Sequence, residues 1–303
     1  AHPRRVDMTA RADTPPISIS LIVAVYNRPE ALRFLLTACA RQSFRSFELV
    51  AADDGSGPEV GRILEEAART RPFPILHIRQ EDAGWRKNAA LNAAVRAARA
   101  DYLVFTDGDC LPARRFLEDH WQEREPGRIL LGRRVETSER WSRALTPGMM
   151  ESGAFERYDR GMWVDGLLGR ALRLEDGIRI GSRLLRRILL REVRGILGSN
   201  FSLARRDLEA VNGFDELYDG PGCGEDSDLQ CRLSLAGVTG KSLRNLAIQY
   251  HLHHPRTAGS ASSRERFRQT RELGQARCVH GLTGPQGPAT EPPRAPPSVP
   301  GNP

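Results

Sequence analysis

The sequence predicts a doubly wound α/β fold, a mostly parallel sheet with helices on both faces. Short apolar runs alternate with longer stretches of helical period. The runs end on polar turns rich in Asp and Gly, and acidic clusters sit in those turns. A sheet of this kind binds its ligands there, beyond the carboxyl ends of its strands.

The elements follow in order. Ile17 to Val25 (ISISLIVAV) is a buried strand. Asn27-Arg28-Pro29-Glu30 breaks it and starts a helix over Ala31 to Ala40, with Pro where a helix tolerates it. Phe47 to Ala52 is a second strand, closed by Asp53-Asp54-Gly55-Ser56, and Val60 to Arg69 is a helix. Ile75 to Arg79 is a short third strand, and Ala-rich Gly84 to Ala100 is helical. Asp101 to Phe105 is a fourth strand, ending at Thr106-Asp107-Gly108-Asp109. Gly127 to Arg134 and Gly198 to Leu203 read as strands, Glu225 to Ala236 as a helix, and Ala247 to His251 as a strand end. Residues 140–195 are less regular and rich in Arg. From Gly281 the chain is rich in Pro and Gly and reads as disordered.

At 303 residues the chain suits one large α/β domain or two small ones. Its formal charge of +7 suits an anionic partner: nucleic acid, an acidic membrane or a phosphorylated ligand. Cys39, Cys110, Cys223, Cys231 and Cys278 form no CxxC pair, which argues against a disulfide framework or structural zinc and for a reducing, cytoplasmic setting. No apolar run approaches the roughly 18–20 residues that span a bilayer. Residues 1–16 lack the apolar core of a signal peptide and are read as a flexible tail.

Two carboxylates flanking a glycine at a strand end, Asp107 and Asp109, can hold magnesium or manganese against a diphosphate. Taken alone, they are explained better by a solvated Asp-Gly turn. Asp54, at another strand end, can accept hydrogen bonds from a base or ribose. Arg86 and Lys87 open the Ala-rich helix, where they can meet a phosphate or base. Gly220-Pro221-Gly222-Cys223-Gly224 leads into Glu225-Asp226-Ser227-Asp228. Acids at a helix start serve as caps, or one can act as a general base. His251, His253 and His254 fall within four positions, and one of them can complete a metal shell.

Together these residues resemble the family 2 glycosyltransferases of GT-A fold. The matching stretches are VAVYNRPEAL (Val23 to Leu32), SFELVAADDGS (Ser46 to Ser56), AGWRKNAALNAA (Ala83 to Ala94) and YLVFTDGDCLP (Tyr102 to Pro112). The later part looks like a galactosyltransferase-type C-terminal region, through GSNFSLARRDLEAVNGFDE (Gly198 to Glu216), GEDSDLQCRL (Gly224 to Leu233) and AIQYHLHH (Ala247 to His254).

The resemblance implies an inverting, metal-dependent transfer of a sugar from a nucleoside diphosphate sugar, a UDP-sugar, to a saccharide or lipid-linked acceptor. It implies that Tyr26, Asp54, Arg86 and Asp107 contact the nucleotide, and that Asp107, Asp109 and His251 bind Mn2+ or Mg2+. Asp226 falls where the family's base lies, with Glu225 beside it reading the acceptor or donor sugar. Relatives carry a Trp just before the Glu-Asp pair that stacks on the sugar. Here that stretch is Gly220 to Gly224, and Trp85 or Trp163 is left to supply the ring. The implied division is nucleotide-sugar binding over 17–134, a variable Arg-rich insert over 135–197, an acceptor-side catalytic region over 198–280, and a tail over 281–303.

Two other classes compete. A sugar nucleotidyltransferase would show a Gly-rich basic loop after the first strand, where this chain has Tyr26-Asn27-Arg28-Pro29. A non-catalytic basic binding module fits the arginines, but no nucleic-acid motif appears, and no nucleic-acid partner is expected. The stretch 178–194 (IRIGSRLLRRILLREVR) has the pattern of an amphipathic helix. It either lies on the cytoplasmic face of an anionic membrane, with its arginines adding to the contact, or packs its leucines on the catalytic core.

Overall fold

The computed structural model describes residues 16–189, 195–220, 224–255 and 260–284. It begins as the alternation predicts: β1 (Ile19–Val25), α1 (Pro29–Ala40), β2 (Phe47–Asp53), α2 (Pro58–Thr70), β3 (Ile75–Arg79), α3 (Lys87–Ala97) and β4 (Tyr102–Asp107). β1 and β2 have nearly every residue buried, as strands covered on both faces must be. The short β5 (Cys110–Pro112), α4 (Phe116–Glu123), β6 (Arg128–Leu131) and β7 (Val135–Glu136) come next. The Arg-rich stretch folds into α5 (Glu139–Arg143), α6 (Pro147–Ser152), α7 (Arg160–Leu167) and α8 (Arg183–Leu189). The chain continues with β8 (Phe201–Ala204), α9 (Arg205–Ala210), α10 (Glu225–Leu235), β9 (Thr239–Ser242), β10 (Gln249–His251) and α11 (Ala261–Leu273).

Seven strands form the main sheet in the order β3-β2-β1-β4-β8-β6-β9. Only β8 runs antiparallel to its neighbours, so the sheet is mostly parallel, as in GT-A proteins. From β1 the chain winds outward through β2 to β3, then returns to lay β4 on the other side of β1. The switch point is therefore between β1 and β4, where such sheets open a ligand crevice. The register aligns Val25 with Asp53 and Ala24 with Asp107, which sets both acidic turns at one edge.

Two apolar layers cover the sheet. One packs Leu21, Val23, Leu32, Leu35, Phe47 and Leu49 together with Trp141, Met150, Phe155 and Met162. The Arg-rich stretch thus shares a core with the first helix and is tied to it. The other layer joins Ile22, Val50, Leu91 and Phe105 to Phe201, Phe214 and Leu229. Both ends of the chain contribute to each layer.

Some boundaries differ from the sequence reading, for local reasons. α3 starts at Lys87 and not at Gly84, because Gly84 is left-handed and the Arg86 N–H turns out to the Asp54 carboxylate. β8 starts at Phe201, since the preceding residues turn, with Asn200 N–H on the Leu197 carbonyl at 2.8 Å. Residues 281–284 are docked, not loose: Leu282 N–H meets the Asn212 carbonyl at 2.8 Å, and Thr283 Oγ1 meets Asn212 Oδ1 at 2.9 Å. Residues 285–303, most of the predicted N-terminal tail, 190–194 of the amphipathic stretch, and Pro221, Gly222 and Cys223 lie outside the described residues. Cys39, Cys110, Cys231 and Cys278 are free. Among the described residues no helix is long and apolar enough to cross a membrane.

Candidate active site

A second sheet of three short strands, β5-β10-β7, stands just past the end of β4. β10 pairs antiparallel with β5 and parallel with β7, bringing His251 beside Cys110 on one side and beside Glu136 on the other. These residues are far apart in sequence, and nothing in the two-residue β7 announces a strand.

Gly108 lets the acidic turn close tightly against β1. Its N–H bonds the Ala24 carbonyl at 2.8 Å, and a Cβ there would lie 3.0 Å from the same oxygen. The turn sends its two carboxylates to different partners. Asp107 Oδ1 accepts from Lys87 Nζ at 2.6 Å, and Asp107 Oδ2 faces Arg134 Nη1 at 3.7 Å. Asp109 faces His254 Nε2 at 3.3 Å, His251 Nε2 at 3.7 Å and Arg28 Nη1 at 3.8 Å. Burial alone would raise the Asp109 pKa. The His254 hydrogen bond and the charges of His251, His254 and Arg28 outweigh it and hold the carboxyl well below the usual range.

The tautomer of His251 follows from its neighbour. Its Nδ1 lies 2.7 Å from Glu136 Oε2. Burial works against Glu136 ionising, but His251 and Arg134 bring its pKa down to about 2. An ionised carboxylate only accepts, so Nδ1 donates to Glu136, and Nε2 is the ring nitrogen turned toward Asp109. His254 Nδ1 likewise donates to the Pro255 carbonyl at 2.8 Å, so its Nε2 faces inward, 3.1 Å from that of His251. Two lone pairs cannot face each other at that distance, so a proton or a cation must lie between them. The hydrogen bond to Asp109 raises the His254 pKa, which favours the proton there when no cation is bound.

Asp109, Cys110 and His251 have ligand atoms within 4.8 Å of one another. Burial pushes the Cys110 thiol well above its ordinary pKa, so it is a neutral, weak donor. The carboxylate oxygen and imidazole nitrogens are the effective donors, and they fit a borderline-hard divalent cation. Asp107, expected among the metal ligands, is not in this cluster and is held by Lys87.

Lys87 joins the acidic turn to the start of α10. Burial opposes its charge. Asp107, then Asp226, and also Glu225 more than reverse this, so its pKa is raised. Asp226 Oδ2 accepts from Gly198 N–H at 2.7 Å, and a Cβ on Gly198 would lie 2.5 Å from Asp226 Oδ1. Burial, then Glu225, pushes the Asp226 pKa up to about 6, against the pull of Lys87 and the Gly198 N–H. Asp228, in the same acidic run, is a structural ion pair with Arg232 at 2.7 Å.

At the other side of the crevice, Asp54 is buried. It accepts from Arg86 N–H at 2.8 Å and from the Gln80 amide. Burial raises its pKa, only partly offset by those two donors. Arg86 Nε is buried with no hydrogen-bond partner among the described residues. Tyr26 is 51% exposed at the end of β1, its hydroxyl 3.3 Å from Asp82 Oδ2. Trp85 is partly buried in the turn before α3 and stacks on no ring among the described residues. Three groups thus form: Asp54 with Arg86; Lys87 with Asp107, Asp226 and Glu225; and Asp109 with His251. The sequence reading singled out neither Glu136 nor Arg134. His254 it noted only as one of three histidines.

The profile of the glycosyl transferase family 2 matches residues 20–194, and that of the N-terminal domain of galactosyltransferase matches residues 190–255. The chain is 31% identical over 97 residues to a hyaluronan synthase of Pasteurella multocida and 30% identical over 95 residues to a chondroitin synthase of Escherichia coli. These alignments take in 32% and 31% of this chain, but 10% and 14% of those proteins. Among solved structures, S. aureus TarS 1-349 in complex with UDP-GlcNAc superposes with a TM-score of 0.54 at 18% identity, over 85% of this chain and 65% of that one. A Pyrobaculum calidifontis mannosyltransferase in complex with GDP-Man and Mn2+ superposes with a TM-score of 0.53 at 16% identity, over 86% and 70%.

Proposed function

The chain belongs to glycosyl transferase family 2, and on that premise we infer that it is an inverting, metal-dependent transferase moving a sugar from a UDP-sugar to a hydroxyl of a saccharide or lipid-linked acceptor. One observation carries the reading. The side chains expected to hold the departing nucleotide and the one expected to take the acceptor's proton meet around a single partly buried lysine, Lys87.

Residues 17–134 bind the nucleotide. Uracil presents an N–H between two carbonyl oxygens, which suits the Asp54 carboxylate beside the unpartnered Arg86 Nε. Tyr26, exposed at the rim, lies against the nucleoside. A divalent cation, when bound, supplies positive charge against the diphosphate. Asp109 and His251 hold it, with His254 as a third donor. Imidazole donors favour Mn2+ over Mg2+, which takes oxygen ligands. Lys87 and Arg134 add fixed positive charge beside Asp107, where the leaving diphosphate gathers negative charge.

On the acceptor side, residues 198–280, Asp226 takes the hydroxyl proton as that oxygen attacks the anomeric carbon and the bond to the diphosphate oxygen breaks. A single displacement inverts the centre. Glu225 hydrogen-bonds sugar hydroxyls, and Trp85 offers a ring for stacking.

The test is a panel of sugar nucleotides titrated with Mn2+, followed first by thermal protection and then by nucleotide release. Protection by a UDP-sugar, with UDP released only when an acceptor is added, supports the reading. No protection by any sugar nucleotide, or full turnover by Asp109→Asn in excess chelator, would sink it.

A further inference from the structure

Nine of the fourteen large apolar side chains exposed among the described residues lie between Trp163 and Ile188. Trp163, Val164, Leu167 and Leu168 are spaced i, i+1, i+4, i+5 and so share one side of α7. They are 47%, 51%, 88% and 57% exposed. The buried residues of that helix are Met162 and Asp165. α8 also exposes apolar side chains. Leu184, Leu185 and Ile188 point outward, while the Arg186 side chain is turned in, donating to Glu123 Oε1 at 2.9 Å and to the Ile180 carbonyl at 3.0 Å. Among the described side chains of this helix, Leu184 and Leu185 do not pack on the core. It presents them to the outside.

The charge around these residues is one-sided. The segment from Arg157 to Ile188 carries four carboxylates, and arginines from elsewhere engage all of them. Arg140 pairs with Asp159 and Asp165, and Arg244 pairs with Glu175 and Asp176. Arg157, Arg160, Arg170 and Arg173 are exposed, and none has a carboxylate within ion-pairing distance among the described residues. Exposed apolar side chains flanked along the chain by exposed arginines match a surface that is apolar inside and anionic at its boundary. A second copy of the chain matches poorly, because a two-fold contact through this segment would set arginine against arginine.

We propose that the outward sides of α7 and α8 dock the chain on an anionic lipid bilayer. Trp163, Leu167 and Leu168 enter the headgroup region, and Arg160, Arg170 and Arg173 meet the lipid phosphates. The docked segment adjoins the candidate active site through one bridge. Leu172 N–H bonds the Glu136 carbonyl at 2.9 Å, and the Glu136 N–H bonds the Leu172 carbonyl at 3.0 Å. An acceptor anchored in the same bilayer would lie near the crevice. The docking itself does not depend on the transferase reading.

The experiment is co-sedimentation of the full chain with vesicles of phosphatidylglycerol and phosphatidylcholine, against phosphatidylcholine alone, at low and high salt. Binding should need the anionic lipid and fall with salt. The double variant Arg170→Gln/Arg173→Gln should bind more weakly by on the order of 5-fold for each arginine removed. Leu167→Ser/Leu168→Ser should lose binding at either salt. All four positions are exposed, so both variants should melt with the parent, which separates lost docking from lost folding. Equal sedimentation with phosphatidylcholine alone, or none with either lipid, would overturn the proposal. So would a doubled mass in lipid-free solution that Leu167→Ser/Leu168→Ser abolishes, since the face would then belong to a second copy.

Discussion

Lys87 Nζ lies 2.6 Å from Asp107 Oδ1, and the same ammonium is stabilised by Asp226 and Glu225 at the start of α10. One lysine at the start of α3 therefore serves two halves of the chain more than a hundred residues apart. It offsets the repulsion between Asp107 at the end of β4 and the Glu225-Asp226 pair at the start of α10. It also lowers the Asp226 pKa against burial.

That coupling gives a pH prediction. Asp226 acts as a base only when ionised, so kcat/KM should rise with pH through about 6. In Lys87→Met the lowering influence is gone, and the acid limb of the profile should move to higher pH. An unmoved limb would separate Lys87 from the base.

Asp226→Asn should keep nucleotide protection and lose roughly 10²- to 10⁴-fold in rate, the usual worth of a positioned base. It should also be more stable than the parent at alkaline pH. The folded pKa, about 6, lies above the ordinary value of 3.8 for an aspartate, so the folded chain holds a proton that the unfolded chain releases. Stability from this group is full below the unfolded value and is lost as pH rises through about 6. The gain in Tm should therefore be visible at pH 8 and shrink toward pH 4. Normal turnover by the Asn variant at saturating donor would make Asp226 a binding contact instead.

Gly198→Ala tests the same carboxylate from outside. The added Cβ falls 2.5 Å from Asp226 Oδ1, and the short Asp side chain can yield only by turning away. The expected result is a fall in kcat with little change in UDP affinity, read by steady-state kinetics beside nucleotide titration. Wild-type kcat would mean that the carboxylate turns without cost.

The strands and the acidic turns were legible in the sequence because each depends on a local signal: a buried apolar run, then Asp and Gly at its end. Asp54 and Asp107 could be read for that reason, and the Glu225-Asp226 pair from its place at a helix start after a Gly-rich loop. The small sheet could not. β7 is the two residues Val135–Glu136, with no period to detect, and Glu136 meets His251 across 115 positions. Nor could the orientation of α8 be read from its helical pattern. The wheel shows that leucines and arginines separate, but which side turns inward depends on Glu123 lying where Arg186 can reach it. Splitting Asp107 from Asp109 likewise depends on Lys87 and Arg134 arriving from other elements.

The last prediction concerns Glu136, which no sequence signal marked. Its carboxylate accepts from His251 Nδ1, so that Nε2 is the ring nitrogen turned toward Asp109. Without that acceptor the ring can take the other tautomer or rotate, and a carboxylate–imidazole pair of this kind is typically worth about 10- to 100-fold in metal affinity. Glu136→Ala should weaken Mn2+ binding by that amount, measured directly as free Mn2+ by electron paramagnetic resonance with no substrate present. Glu136→Gln retains an acceptor oxygen but not the charge, and should fall between Ala and wild type. Cys110→Ala should stay near wild type, because the buried thiol is neutral and donates little. If Cys110→Ala lost more affinity than Glu136→Ala, sulfur would be the ligand, and the role assigned here to Glu136 and the His251 tautomer would be wrong.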